Sequence, residues 1–491
     1  MRLSTSLRGT LAFGALTALV SACSSETATE SSIGETTLAA VPAASDDILA
    51  DLRNTPGVGN VQELTSPIPD TRYFLGTFEQ PIDHRDPDGP KFTQRFTFLY
   101  RSRQRPTVLA PEGYGIALNP YFLDEPTYLL AANRLQIEHR FFGPSTPPAL
   151  DWTKLDVYQA AADQHRLVQA IRPLVPRKWL STGGSKGGVT ATFHRYFYPD
   201  DVWATIAYVA PTSYGRADPA YIDFLEHVGD AACRDKLKAF QTELLRRRPE
   251  IETRMADEAA AAGDGYQRLG IHKALDFTVT EAPFIFWQYL PNGNCVNVPA
   301  ATASTDELYA FLSKIYGQVY DEYGDASLDY YAAYYYQAAT ELGAPGYDYS
   351  HMRGLLTPHF RDAPQDIPPL DIEKRFHPAT VPVLAHWVRA RGERMLYLYG
   401  GNDPWSSRPF EVRARNDSYR YIVPNGNHRS LISYLPEDEK RAAFQTLSRW
   451  MDTPITPLPF PTSLDATGGD ATGGLPVESP AMWRRYHPRG H

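Results

Sequence analysis

The sequence predicts an α/β protein: a mostly parallel, buried sheet whose chain is interrupted by a helical insertion and then completed. Three observations predict it. Between about residues 70 and 212, short apolar runs bounded by Gly and Pro alternate with helix-length stretches, the pattern of strands buried on both faces and joined by crossover helices. From about 213 to 375 such runs nearly vanish. After 375 two of them return.

Taken in order, the first element is a leader. Arg2 and Arg8 accompany "LAFGALTALV" (11–20), a ten-residue apolar stretch too short to span a bilayer stably. "VSAC" (20–23) then sets small residues before Cys23 and resembles a bacterial lipobox. Residues 1–23 are therefore expected to be a signal peptide with Cys23 as the lipidated terminus. Ordinary cleavage after "VSA" is the alternative. Either route exports the protein, to the cell envelope as a lipoprotein or as a secreted chain, and a lipid on Cys23 is the only membrane contact expected. Residues 24–47 are small, polar and non-periodic, and read as a flexible linker.

The first part of the core is expected over 48–212. Its strand signals are "RFTFLYRS" (95–102), "PTVLAPEGYG" (106–115), "NRLQIEH" (133–139), "KWLSTGG" (178–184) and "WATIAYVA" (203–210). A helical cap follows over 213–375. There Leu237, Phe240 and Leu244 recur at helical spacing, and "STDE" (304–307) is a capping box before "LYAFLSKIY". The second part of the core, 376–456, carries "RMLYLYGG" (394–401) and "YRYIVPNG" (419–426). The Gly- and Pro-rich tail, 457–491, is expected to be irregular.

Bulk composition narrows the function. In 491 residues, 43% hydrophobic and 21% charged content supply a substantial core. A net charge of −9 argues against a nucleic-acid partner, which calls for a basic surface. Beyond Cys23 there are two cysteines, Cys233 and Cys295. In an exported chain such a pair is expected to be a disulfide, worth about 4 kcal/mol in the chain-entropy model. With no CxxC and no HExxH, a zinc site is disfavoured.

The chemistry concentrates in "WLSTGGSKGG" (179–188). Gly183-Gly184-Ser185-Lys186-Gly187 matches G-x-S-x-G between a strand and a helix, a turn that lifts a serine into strained geometry with glycines clearing space beside it. A phosphate loop is the rival reading, but there the lysine precedes the hydroxyl residue, and here Lys186 follows Ser185. A nucleophilic serine needs a base, and the base needs an orienting carboxylate. Asp403 in "MLYLYGGNDPWS" and His428 in "YIVPNGNHRSL" each follow a late strand, in the chain order Ser, Asp, His. The bland readings are a turn-capping aspartate and a surface histidine. For the oxyanion, one amide is expected from Lys186 and a second from Gly113 or Tyr114 in "PEGYG" (111–115).

The motifs "FEQPIDH" (78–84), "FTQRF" (92–96), "EHRFFG" (138–143), "GGSKGG", "QAATELG" (337–343), "GGNDPWS" and "GNH" together resemble the exported bacterial prolyl tri/tetrapeptidyl aminopeptidases. These are serine peptidases related to lysosomal prolyl carboxypeptidase and dipeptidyl peptidase II. The resemblance runs from about 78 to 430. It implies an α/β-hydrolase core with an inserted, mainly helical cap, the triad Ser185, Asp403 and His428, no cofactor or metal, and cleavage next to proline near the end of short or unfolded peptides. One departure is Ala339, where the lysosomal enzymes tend to have cysteine.

Two acidic residues could hold a substrate's α-amine, Glu112 beside the glycine loop and Glu341 in "ATELG"; structural bracing is the alternative for each. "FIFWQYL" (284–290) and "YYAAYYYQ" (330–337) are expected either to wall a proline-sized pocket or to pack as core. His139 and Arg140 are expected to brace the site or to close a strand end. The rival functions are a prolyl carboxypeptidase, an esterase or lipase on the same fold, and a catalytically inactive binding protein.

Overall fold

The computed structural model describes residues 47–456 apart from 67, 117, 119–122 and 291–293. The leader with Cys23, the linker up to residue 46 and the tail from 457 lie outside the described residues.

The strands are β1 (Val58–Leu64), β2 (Arg72–Pro81), β3 (Lys91–Tyr100), β4 (Thr107–Pro111), β5 (Asn133–Ile137), β6 (Trp179–Gly184), β7 (Ala204–Tyr208), β8 (Met395–Gly400) and β9 (Tyr419–Val423). They form one sheet in the order β1-β2-β3-β5-β4-β6-β7-β8-β9. From β5 to β9 every pairing is parallel, whereas β1–β2, β2–β3 and β3–β5 are antiparallel. The antiparallel end departs from the sequence reading, which counted β3 among parallel runs and did not pick out β1 or β2. The connection from Pro81 to Lys91 is too short for a crossover, so β2 and β3 must form a hairpin.

Helices α1 (Ile48–Asn54), α2 (Glu125–Leu129), α3 (Val157–Ile171) and α4 (Lys186–Phe197) belong to the first part of the sheet layer. Between β7 and β8 come α5 (Ala220–His227), α6 (Ala231–Arg246), α7 (Arg248–Ala261), α8 (Ile271–Tyr289), α9 (Thr305–Tyr316), α10 (Val319–Glu322) and α11 (Asp325–Gln337), closed by one π turn over Ala338–Leu342. Then α12 (Thr380–Arg391) and α13 (Glu437–Met451) complete the layers. This is the α/β-hydrolase fold with a mainly helical insertion.

Alternation explains why the central strands read as unbroken apolar runs. In β8, Leu396 and Leu398 join the cluster formed with Leu447 and Trp450 of α13, while Met395, Tyr397 and Tyr399 join Val189 and Phe193 of α4 and Leu384 and Val388 of α12. Side chains on a strand point alternately to its two faces, and here helices cover both. Truncating one such residue, Leu396→Ala, costs about 2–5 kcal/mol.

The insertion has its own core, built from Leu237, Phe240, Leu275, Phe277, Leu308 and Leu312 among others. Its capping box is formed as expected: Ser304 and Glu307 exchange side-chain and backbone hydrogen bonds at the start of α9. Cys233 of α6 is disulfide-bonded to Cys295, just beyond α8. Pro283 lies inside α8 and has no N–H for the carbonyl of Val279. Gln241 Nε2 takes over that carbonyl at 2.8 Å, so the helix runs on into its aromatic end.

Candidate active site

Ser185 occupies the turn between β6 and α4 at φ 53°, ψ −128°, a left-handed conformation that an L residue holds only under constraint. Two features supply the constraint. The Ser185 amide donates to Tyr208 O at the end of β7 (2.8 Å). A Cβ on Gly183 would lie 2.4 Å from the Gly187 carbonyl, so only glycine fits beneath the turn. The twelve-residue α4 begins at Lys186, which directs the positive end of its dipole toward the serine.

The "PEGYG" loop packs directly on this elbow. A Cβ on Gly113 would meet Lys186 Cβ at 2.8 Å and Gly187 N at 2.9 Å. The buried Lys186 ammonium donates to the Gly113 carbonyl and sits over the rings of Tyr114 (5.3 Å) and Phe142 (5.5 Å). The side chain of Lys186, which the sequence offered no role, therefore fastens the glycine loop to the elbow. His139, in ring contact with Phe142 at 5.7 Å, is held well below the usual imidazole range by burial and by the Lys186 charge. It stays neutral, its Nδ1 hydrogen-bonded to Arg140 O. Arg140 is fully buried; it donates to both oxygens of Asp163 at 2.7 Å and to the carbonyls of Pro81, Ile82 and Lys154. Those bonds fasten the segment after β5 to α3, two connections away from Ser185.

Asp403 and His428 follow β8 and β9, on the same carboxyl edge of the parallel strands as Ser185. Asp403 is fully buried, and its Oδ2 lies 2.8 Å from His428 Nδ1. Trp405 N (3.2 Å) and Ser406 Oγ (3.3 Å) also donate to this carboxylate. A carboxylate on Nδ1 fixes the tautomer in which Nε2 is the basic nitrogen. His428 Nε2 is buried with no hydrogen-bond partner among the described residues. Two devices hold the histidine loop: His428 N donates to Gln288 O of α8 (3.0 Å), and Glu125 accepts from the amides of Ile432 and Ser433, both at 2.8 Å. Glu125 also accepts from Tyr208 Oη (2.9 Å), so one buried carboxyl ties the loop after His428 to the strand that holds Ser185.

Both aromatic stretches send some rings toward these groups, while Phe286 and Trp287 pack in the core of the insertion. From α8, Tyr289 lies 6.0 Å from His428, and Phe284 meets Trp405 at 5.0 Å, with Trp405 6.4 Å from His428. From α11, Tyr331 and Tyr334 meet Tyr114 at 5.5 and 5.8 Å. The two acidic candidates are already engaged. Glu341 Oε2 accepts from Val157 N at the start of α3 (2.9 Å), and burial pushes its pKa up to about 8. Glu112 accepts from Gln136 Nε2 of β5 (2.6 Å), and burial pushes it up to about 7 against the pull of Gln136 and Arg134. Sequence reading missed Glu125 and Trp405, although "GGNDPWS" had drawn attention to the second. Glu125 gave no signal beyond a charge in "DEPTY".

A serine in a strained elbow, a histidine poised on a buried carboxylate and glycine-loop amides at a helix start can perform acyl transfer. A model of the PS-10 peptidase S37 family matches residues 40–458. The chain belongs to the peptidase S37 family. This S37 peptidase is 41% identical over 454 residues to the prolyl tri/tetrapeptidyl aminopeptidase of Streptomyces mobaraensis, covering 89% of its own chain and 94% of that one. Among solved structures, the proline iminopeptidase of Mycobacterium smegmatis covers 79% of the S37 peptidase and 98% of its own chain at 13% identity and TM-score 0.32. Homoserine O-acetyltransferase from Staphylococcus aureus covers 77% and 94% at 12% identity and TM-score 0.35. At those scores neither adds to the fold assignment, which stands on the strand order and crossovers.

Proposed function

We propose that this S37 peptidase is a serine exopeptidase that releases short peptides from free N-termini by cleaving after proline. The contact that carries the reading is His428 Nδ1 on Asp403 Oδ2, with the opposite ring nitrogen buried and without a hydrogen-bond partner among the described residues, at the strand edge that also presents Ser185. His428 takes the Ser185 proton, and Asp403 holds the tautomer and balances the imidazolium. The serine oxygen attacks the carbonyl of the proline residue. The oxyanion rests on the Lys186 amide and on Gly113 or Tyr114, at the positive end of α4. The amine leaves with the proton from His428, and water repeats the cycle to free the acyl peptide. The rings of Trp405 and Tyr289 beside His428 would suit a proline ring, which offers an apolar face and no N–H.

Free and N-acetylated X-X-Pro-nitroanilides test the choice of terminus. Acetylation is expected to lower kcat/KM by at least 100-fold. Equal rates would replace this reading with a carboxypeptidase or an endopeptidase, and faster turnover of simple esters would favour the esterase alternative. Export with a lipid on Cys23 is the companion reading from residues 1–23, checked by the intact mass of the mature N-terminus.

A further inference from the structure

Inside the cap, three carboxyls lie together with no lysine or arginine acting on any of them among the described residues. Glu281 of α8 accepts a hydrogen bond from Tyr323, and its charge acts on both Asp362 and Glu322. Asp362 is 8% exposed, and its Oδ2 is buried without a hydrogen-bond partner among the described residues. Burying carboxylates of like sign without a cation is costly, and most folds avoid it or pair them. The surroundings are aromatic, with Tyr334, Tyr335 and Tyr347 all within reach of the Glu281 charge.

The cluster joins the candidate site on two sides. Phe284, one turn beyond Glu281, contacts Tyr347 at 5.8 Å and Trp405 at 5.0 Å, and Trp405 in turn contacts His428. On the other side Tyr334 contacts Tyr114 of the glycine loop. We propose that Glu281 and Asp362 form the subsite that binds the protonated α-amine of the peptide substrate. The proposal rests on the aminopeptidase reading above and gives it an anchor other than Glu112 and Glu341, whose carboxyls are engaged in the core.

Four arguments support it. An ammonium has three donors and no acceptor, which suits Asp362 Oδ2, Glu281 and a tyrosine hydroxyl. Burial pushes Glu281 up to about 7, and burial with repulsion from Glu281 pushes Asp362 well above the usual carboxylate range. Alone, the pair keeps a proton; an entering ammonium replaces that proton, which passes to solvent. The tyrosine rings around the pair suit an organic cation. The fourth argument is length. Gln288, whose carbonyl carries His428 N, lies seven residues beyond Glu281, about 10 Å along the helix axis. Three residues of extended peptide also span about 10 Å.

The test measures kcat/KM for free and N-acetylated X-X-Pro-nitroanilides with the parent, Glu281→Gln and Asp362→Asn. Covalent labelling of Ser185 by a fluorophosphonate identifies the variants that fold. In the parent a large free-to-acetyl ratio is expected; in each folded variant that ratio should fall roughly 10- to 100-fold, the worth of a hydrogen bond to a charged group. A parent without discrimination overturns the aminopeptidase reading itself. A parent that discriminates, with variants that keep its ratio, overturns this anchor alone. A measurement without either variant covers the case where neither folds. Binding of free X-X-Pro to Ser185→Ala, followed by calorimetry near pH 7 in two buffers of different ionisation enthalpy, should release protons. The N-acetyl peptide should not. Absence of release from the free peptide overturns the proposal.

Discussion

The Lys186 ammonium donates to the carbonyl of Gly113, while the α-carbon of Gly113 sits so close to Lys186 that no side chain could stand between them. One residue therefore offers its amide at the start of α4 and clamps the neighbouring loop with its side chain. Lys186→Met keeps most of the stem and removes the clamp. Its kcat is expected to fall about 10- to 100-fold, short of the loss on deleting an oxyanion donor, with KM changed less than threefold. Steady-state kinetics decide it; a kcat within twofold of the parent would show that the clamp is idle.

Ser185→Ala is expected to abolish hydrolysis, by a factor of about 10³ or more, while the melting temperature stays near that of the parent. The elbow is held by Gly183, Gly187 and the bond to Tyr208 O, none of which needs the hydroxyl. Residual activity within tenfold of the parent would remove Ser185 from the mechanism.

Glu341 gives the fold a pH signature. Its pKa is raised from 4.5 to about 8, so the folded chain binds this proton more tightly than the unfolded chain. The resulting stability is complete below about pH 4.5 and drains away as pH rises toward 8. In Glu341→Gln the amide oxygen can still accept from Val157 N at every pH. Thermal melts between pH 6 and 9 should therefore decline less steeply in the variant than in the parent. Parallel curves would show that the carboxyl is ionised in the fold.

Cys233 and Cys295 bridge α6 to the segment following α8, all within the insertion. Reduction is expected to raise hydrogen exchange in α6 and α8 before it affects β6, β7 or β8. The chain-entropy worth, about 4 kcal/mol, is an upper bound on the loss. Simultaneous exchange throughout would mean that insertion and sheet unfold as one unit.

How much was legible in the sequence follows from what each residue depends on. Ser185, Asp403 and His428 could be read because each sits just after a short strand-like run; β8 before Asp403 is buried throughout, β6 before Ser185 ends in glycines, and the edge strand β9 before His428 carries Arg420. The hairpin of β2 and β3 was less legible: β2 carries charged and small residues, and its partner β3 is read as parallel unless the short connection is counted. Glu125 and Glu281 are harder still. Each is one acidic residue in an unremarkable stretch, and its meaning comes from groups far along the chain, Ile432 and Ser433 for the first and Asp362 for the second. Glu341 shows the reverse: its motif invited a role at the substrate, yet its oxygen is engaged at the start of α3.

The bond from His428 N to Gln288 O, joined by that from Asn427 Nδ2 to Tyr289 O, has a consequence for engineering. The loop that presents the general base is suspended from the end of α8. Trimming the insertion to admit larger substrates would also withdraw the scaffold on which the imidazole hangs, and a minimal version stripped to its sheet would be silent rather than promiscuous. Any redesign for broader substrates must leave the last turn of α8 in place and open the enclosure elsewhere.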